Sequence, residues 1–296
     1  MSPRSRLDVW LVERGYFATR QQAQRAIQAG EVKIDGLPTD KPGTQVAGDL
    51  KVEIQSKPAF VSRGGEKLLG ALQTFGLAVA GRIALDAGVS TGGFTDCLLQ
   101  KGVRQVYGVD VGYGQLAWSL RTDPRVILRE RTNLRHLTPI SLYGETCPAT
   151  DWASLATLDL SFISLTKILP PLHSLLIPPR EVLLLVKPQF EAGKGQVGKH
   201  GVVKDSHIQA AAIGQVLQTA LSLGWHYHGL TWSPLVGPAG NLEFWLWLQD
   251  NPGLPAPTDP QLWQVCQQAK EVLTNTKIQE MSNVAQYTAK NDEPNC

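Results

Sequence analysis

At 296 residues, 43% hydrophobic and 18% charged, the chain has room for two domains, or for one large domain with an appendage, and its composition is that of an ordinary globular protein. A formal net charge of +2 is too small to argue for a polyanionic partner, so local charge has to decide that question. The opening MSPRSRLDVW lacks the apolar core of a signal peptide and no apolar run reaches the ~18 residues of a membrane span, so a cytoplasmic protein with no membrane partner is expected.

Leu7, Val9, Trp10, Leu11 and Val12 make a short helical pattern. Thr19-Arg20-Gln21-Gln22 reads as a capping box, with Thr19 as cap and Gln22 reaching back, for a helix over residues 20–29 that stops at Gly30. Val32-Lys33-Ile34 forms a strand entering the Asp35-Gly36 turn. Residues 44–49 are a turn-rich loop and residues 50–55 alternate as a strand, which closes a small α+β module over residues 1–58. Between Met1 and Lys33 six basic residues face three acids, a net of +3. Arg20 and Arg25 fall on the helix face away from Ala23, Ala26 and Ile27. Such charges serve a solvated face or contact phosphates, and charge alone favours the solvated face.

Residues 59–65 form a joint, and residues 66–75 a helix carrying Lys67. Strands then alternate with helices: strands at residues 83–87, 105–111, 126–128, 156–160, 182–187, 226–232 and 243–248, with helices between them, notably 165–176 and 205–223. This pattern predicts an α/β domain over residues 66–250, a doubly wound, mostly parallel seven-stranded sheet covered on both faces. The last two strands are joined by residues 233–241, too short for a helical crossover, and should pair antiparallel. Residues 251–296 read as a linker, a helix over 261–273 and a polar, fraying end from about residue 278. Cys97, Cys147, Cys266 and Cys296 lack CxxC spacing and histidine companions, so reduced thiols and no metal are expected.

The most informative stretch is IALDAGVSTGGFT, residues 83–95: an apolar strand, an acid and a turn holding Gly88, Gly92 and Gly93, followed by a helix over 95–99. Such a turn brings backbone close to a nucleotide-like ligand, and Asp110, about twenty residues on at the end of the next strand, can bond a ribose hydroxyl pair. The layout suits NAD or S-adenosylmethionine. The glycines do not fit G-x-G-x-x-G, which favours S-adenosylmethionine.

Asp159 and Lys187 each end an apolar strand, where parallel sheets present their ligands; an antiparallel last strand brings the start of that strand, Glu243, to the same edge, and Lys67 lies just ahead of the glycine-loop strand. Any one of these reads more readily as a strand-end salt bridge, but four around one loop form a site. Two lysines beside two acids suit methyl transfer to a hydroxyl, where the donor already carries an activated methyl and the protein aligns an oxygen and takes its proton. A lysine serves as base only when burial or a nearby cation favours its neutral form. Lys187 is therefore expected as base, with Lys67 beside it gripping substrate, and Asp159 and Glu243 orienting the two amines. Residues 193–200, GKGQVGKH, come close to a phosphate loop, but His200 stands where a magnesium-ligating hydroxyl belongs and no helix follows. The stretch reads as a basic loop whose Lys194, Lys199 and Lys204 reach RNA phosphates or only solvent. The late aromatics, Trp225 to Trp247, fit core packing.

With these residues in view, the chain resembles the TlyA family, also labelled hemolysin A: an S4 RNA-binding domain fused to an FtsJ-like ribose 2′-O-methyltransferase domain. RLDVWLVERGYFATRQQAQRAIQAGEVKIDG is similar to an S4 domain, and FVSRGGEKL, DAGVSTGGFTDCLLQ, YGVDVGYGQL, RTNLR, DLSFISL, VKPQFE, GVVKD and GNLEF to the family's other motifs. The resemblance implies a Rossmann-like S-adenosylmethionine methyltransferase fold and a Lys-Asp-Lys-Glu tetrad on Lys67, Asp159, Lys187 and Glu243. It implies cofactor contacts from Asp86, Gly88, Ser90, Thr91, Gly92, Gly93, Phe94, Asp110, Val111, Asn133 and Asp159. It raises the RNA reading of Arg4, Arg6, Arg20, Arg25 and Lys33, joined by Arg63, Lys194 and Lys199, and implies 2′-O-methylation of cytidine in 16S and/or 23S ribosomal RNA by a monomer. The hemolysin label keeps a cytolysin in play, against which the chain lacks a membrane-active stripe. A non-catalytic ribosome-assembly factor is the third class, against which the intact tetrad argues. Residues 135–152 carry no recognised motif and read as a variable insertion.

Overall fold

The computed structural model describes residues 4–54, 58–193 and 195–291, with side chains except those of Lys199 and residues 276–291. The chain forms two compact units, Met1–Ala59 and Phe60–Cys296.

The first unit runs β1 (Ser5–Arg6), α1 (Leu7–Glu13), α2 (Arg20–Gln28), β2 (Val32–Ile34), β3 (Leu37–Pro38), β4 (Gln45–Val46) and β5 (Val52–Ile54). β3, β2 and β5 form an antiparallel sheet, and Asp35 and Gly36 take the positive φ values of the β2–β3 turn. The stretch expected as a loop holds β4, paired with β1 over two residues, too few to show an alternation in sequence. Thr19 Oγ1 accepts from Gln22 N at 3.3 Å; the cap forms without the expected return bond from the Gln22 side chain. Leu7, Leu11, Ala23, Ile27 and Val32 close the core.

Asp8, counted in the sequence only as a negative charge, is fully buried in this unit. It accepts from Arg6 Nε and Nη2 at 3.1 Å each, from Arg20 Nε at 3.0 Å and from Gln24 Nε2 at 2.6 Å. Burial pushes its carboxyl up, but the bonds from Arg6, Gln24 and Arg20 outweigh burial and hold it well below the usual carboxylate range. A group with a depressed folded value stabilises above its unfolded value, about 3.9, and loses that contribution as pH falls further. Hydrogen exchange in peptides covering α1 and α2 should therefore accelerate, after correction for intrinsic rates, as pH drops below about 4. Asp8→Asn should reproduce the loss at neutral pH.

The second unit runs α3 (Gly64–Phe75), β6 (Ile83–Ala87), α4 (Gly93–Gln100), β7 (Gln105–Val109), α5 (Trp118–Arg121), β8 (Val126–Arg129), α6 (Pro139–Tyr143), β9 (Leu155–Leu158), α7 (Leu169–Ser174), β10 (Glu181–Val186), α8 (Pro188–Glu191), α9 (Ser206–Ser222), β11 (His226–Trp232), β12 (Phe244–Gln249) and α10 (Asp259–Asn291). Its seven strands lie in the order β11-β12-β10-β9-β6-β7-β8, and only β12 runs against its neighbours. This is the mostly parallel sheet with an antiparallel last strand that the pattern predicts. β6 and β10 are buried throughout, as apolar runs covered on both faces must be. Alternate residues of β6 feed two cores: Leu85 and Ala87 join one, Ala84 the other.

Two expectations change. The helix over 165–176 splits into a 3-10 turn, Leu165–Lys167, and α7, because Pro170 and Pro171 cannot donate the backbone bonds that would continue it. Residues 135–152, read as a variable insertion, pack closely into the unit: Tyr143 is buried, donates to Leu175 O at 2.6 Å, accepts from Ala153 N at 3.1 Å and stacks on Trp152. The last helix starts at Asp259 and continues to Asn291, past the point where fraying was expected, and Leu262, Cys266 and Ala269 are buried in the second unit's core. Among the described residues no helix is long and apolar enough to cross a membrane.

Candidate active site

β6 and β9 are parallel neighbours, and the chain winds away from them in opposite directions across the sheet. At such a switch point the carboxyl ends of the strands open a crevice. Gly88 follows β6 with φ +85°, and a Cβ there would lie 2.5 Å from Asp159 O beyond β9. Glycine is thus demanded by the approach of two strand ends, quite apart from any ligand. Ser90 also has a positive φ, +49°. Its N–H donates to Asp110 Oδ2 at 2.7 Å, and the Gly112 N–H donates to Asp110 Oδ1 at 2.6 Å. Asp110, expected to bond a ribose, first pins the glycine loop to the end of β7; each oxygen keeps a second lone pair for a hydroxyl.

Two cavities open here. One, of about 440 Å³, is lined by Ser62, Arg63, Lys67, Thr91, Gly93, Phe94 and Val236 among others; the second, of about 510 Å³, by Asp110, Val111, Asn133, Ser161 and Phe162 among others. They share Gly88, Ser90 and Asp159. Both volumes are those of small-molecule sites, and the shared wall sets two small-molecule compartments side by side.

The four expected catalytic side chains meet at this edge as two ion pairs. Lys67 Nζ lies 2.5 Å from Glu243 Oε2, with side chains 11% and 1% exposed. Lys187 Nζ lies 2.6 Å from Asp159 Oδ1, with side chains 10% and 23% exposed. The aligned hydrogen bond of Lys187 goes to Ser161 Oγ at 3.0 Å, and Asp159 Oδ1 is left as a buried acceptor without one. Ser161 had no signal in the sequence. Buried Glu191 fixes its loop, accepting from Leu165 N at 2.8 Å and Ser164 Oγ at 2.5 Å. Phe162 was also missed: it is 91% exposed, lines the larger cavity and packs against Phe190.

One other expected contact needs correction. Asp86 faces neither cavity. It is fully buried and accepts from Thr95 Oγ1 at 2.6 Å and Thr157 Oγ1 at 3.3 Å, tying β6 to α4 and β9. Gly92 is required because a Cβ would strike Leu116 and Leu120, and Gly93 because it would strike Ser62. Arg6 and Arg20 are engaged by Asp8 but remain half exposed. Arg4 and Arg25 are exposed and Lys33 half-buried, all in the first unit, while Arg63 lines the smaller cavity in the second. Lys194 and the side chain of Lys199 lie outside the described residues. The phosphate-loop likeness ends in a 3-10 turn, Lys199–Gly201, with α9 beginning only at Ser206. Cys97, Cys147 and Cys266 are free thiols, and Cys296 lies outside the described residues. The described residues hold no cluster fit for a metal ion.

Burial pushes the Asp86 carboxyl up to about 7, against the pull of Thr95 and Thr157. A raised acid is protonated in the folded chain and ionised in the unfolded one, so stability falls as pH rises from about 4 to about 7. Denaturation midpoints across that range should decline in the wild type, and Asp86→Asn should flatten the decline.

Residues 60–250 match the FtsJ-like methyltransferase family model and residues 5–52 the S4 domain model. The chain is 52% identical over 251 residues to the 16S/23S rRNA (cytidine-2′-O)-methyltransferase TlyA of Mycobacterium tuberculosis, covering 84% of this chain and 91% of that one. It is 36% identical over 239 residues to Hemolysin A of Brachyspira hyodysenteriae, covering 81% and 97%. A solved structure from Streptococcus thermophilus that carries a hemolysin label aligns at a TM-score of 0.69 with 40% identity, over 94% of this chain and 99% of that one.

Proposed function

This chain belongs to the TlyA family of FtsJ-like methyltransferases with an N-terminal S4 domain, and from that membership we propose that it methylates the ribose 2′-hydroxyl of cytidine in ribosomal RNA, in the cytoplasm, with S-adenosylmethionine as donor. The observation that carries this reading is the pair of buried lysine–acid contacts beside the glycine loop. The cofactor, when bound, supplies a methyl group already activated on a sulfonium. Asp110, Asn133, the glycine loop and Asp159 line the compartment that would hold it.

The protein's own task is to align an alcohol oxygen and take its proton. Lys187 is the base. Asp159 and Ser161 fix its amine, and Lys67, fixed by Glu243, reaches the smaller cavity, where the ribose would dock. Arg4, Arg6, Arg20, Arg25 and Lys33 of the S4 unit, with Arg63, Lys194 and Lys199, would meet phosphates. Phe162 offers an aromatic face at the mouth of the site, where the target base can stack. Stacking on an aromatic contributes about 1–3 kcal/mol per base. Phe162→Ala should therefore raise KM for the ribosomal subunit about tenfold or more; because Phe162 also lines the cofactor compartment, that KM is measured at saturating S-adenosylmethionine.

The test is transfer of labelled methyl from S-adenosylmethionine to purified 30S, 50S and 70S particles, followed by nuclease digestion and mass mapping. Label in 2′-O-methylcytidine is expected. Label in a base or a protein, or none, overturns the reading.

A further inference from the structure

A third cavity, of about 260 Å³, shares Val236, on the loop between β11 and β12, with the smaller of the two catalytic cavities. Its walls are mostly apolar, with Val202, Val203, Leu242 and Leu273 among them, and Lys204 and Lys270 line it as exposed cations. Gln209, on α9, is 2% exposed and also lines it. Gln209 Nε2 donates to Val203 O at 2.8 Å, which fixes the amide, while Gln209 Oε1 is buried with no hydrogen-bond partner among the described residues. A buried amide oxygen left unmatched carries a desolvation penalty, which is recovered when a ligand brings a donor. Asn241 holds the same segment from its other backbone groups, accepting from Val203 N at 2.9 Å and donating to Gly201 O at 2.9 Å. The site thus offers an unmatched amide oxygen in a mostly apolar wall and two cations.

We propose that this cavity binds a nucleotide of the RNA substrate flanking the methylated one, its base N–H or amino group donating to Gln209 Oε1 and its phosphate held by Lys204 and Lys270. The inference rests on the proposed function: a strand whose ribose enters the catalytic compartment passes the loop that both compartments share. All four nucleobases carry an N–H donor, and phosphate supplies the charge that lysines attract. A free mononucleotide has the same chemistry, so the experiment separates the two sources.

Wild-type methyl transfer to ribosomal subunits is measured first; its absence would be the failure of the proposed function, not of this site. Leu273→Trp, which fills the cavity, and Lys270→Glu, which reverses one cation, are then compared with it. Each should raise KM for the subunit about tenfold with kcat within about twofold. Lys270→Glu should also lower the slope of log affinity against log salt by about one or more, which a purely structural role would not do. A photo-crosslinker at Leu273 should capture ribosomal RNA within a few nucleotides of the mark. Unchanged KM and salt slope in both variants, or crosslinks only to remote RNA, overturns the proposal. So does binding of free CMP or AMP that Leu273→Trp abolishes while KM for the subunit stays put, which would make the cavity a mononucleotide site.

Discussion

Lys187→Met yields a folded protein that binds S-adenosylmethionine within about threefold of wild type and methylates ribosomal subunits at least ~100-fold more slowly, the lower bound of what a positioned base contributes. Among the described residues the amine pairs with Asp159 at 2.6 Å, bonds Ser161 Oγ at 3.0 Å and lies 5.9 Å from the centre of the Phe190 ring. Removing it leaves Asp159, whose side chain as a whole is 23% exposed although its Oδ1 is buried. Lys187→Arg sharpens the test. A guanidinium keeps the charge and the pairing with Asp159 but does not give up its proton at physiological pH. Equal loss in Lys187→Met and Lys187→Arg, in single-turnover assays, assigns the amine to proton transfer. Recovery in Lys187→Arg would reduce it to an electrostatic clamp, and near wild-type rates in both would remove it from the site.

The sheet was legible in the sequence because burial on both faces leaves uninterrupted apolar runs: residues 83–87 match β6 end to end, and the run at 182–187 falls within one residue of β10. The antiparallel turn of β12 followed from a loop too short to cross over. Lys67, Asp159, Lys187 and Glu243 were nameable because they interrupt or bound such runs, and a charge at the end of a buried strand must find a partner. What stayed hidden depends on geometry that neighbouring residues do not encode. Asp8 sits in the first turn of α1, where acids are ordinarily solvated; only the meeting of α1 and α2 buries it against Arg6 and Arg20. Asp86 precedes the glycine loop as a ligand-binding acid would, yet the pleat of β6 turns it inward to Thr95 and Thr157. Ser161 and Gln209 are residue types common on loops and helices, and their significance comes from single atoms: one at 3.0 Å from Lys187, the other an amide oxygen without a donor.

Glu243→Ala should be the most damaging single change to stability. Glu243 and Lys67 form a pair whose side chains are 1% and 11% exposed, linking the start of β12 to α3 across most of the second unit's sequence. Removing the acid strands a buried ammonium, and breaking one side of a buried pair costs about 3–5 kcal/mol. The same physics gives the control. Replacing both members with apolar groups of similar volume restores most of that loss, because neither charge then has to be desolvated. Lys67→Met/Glu243→Leu should therefore unfold in urea within about 1–2 kcal/mol of wild type, while methyl transfer stays reduced at least ~100-fold because the amine that reaches the smaller cavity is gone. Recovery of stability without recovery of activity would separate the two roles of the pair. If Glu243→Ala unfolds like the wild type, Lys67 has another partner or reaches water freely, and the buried-pair account of this corner of the site fails.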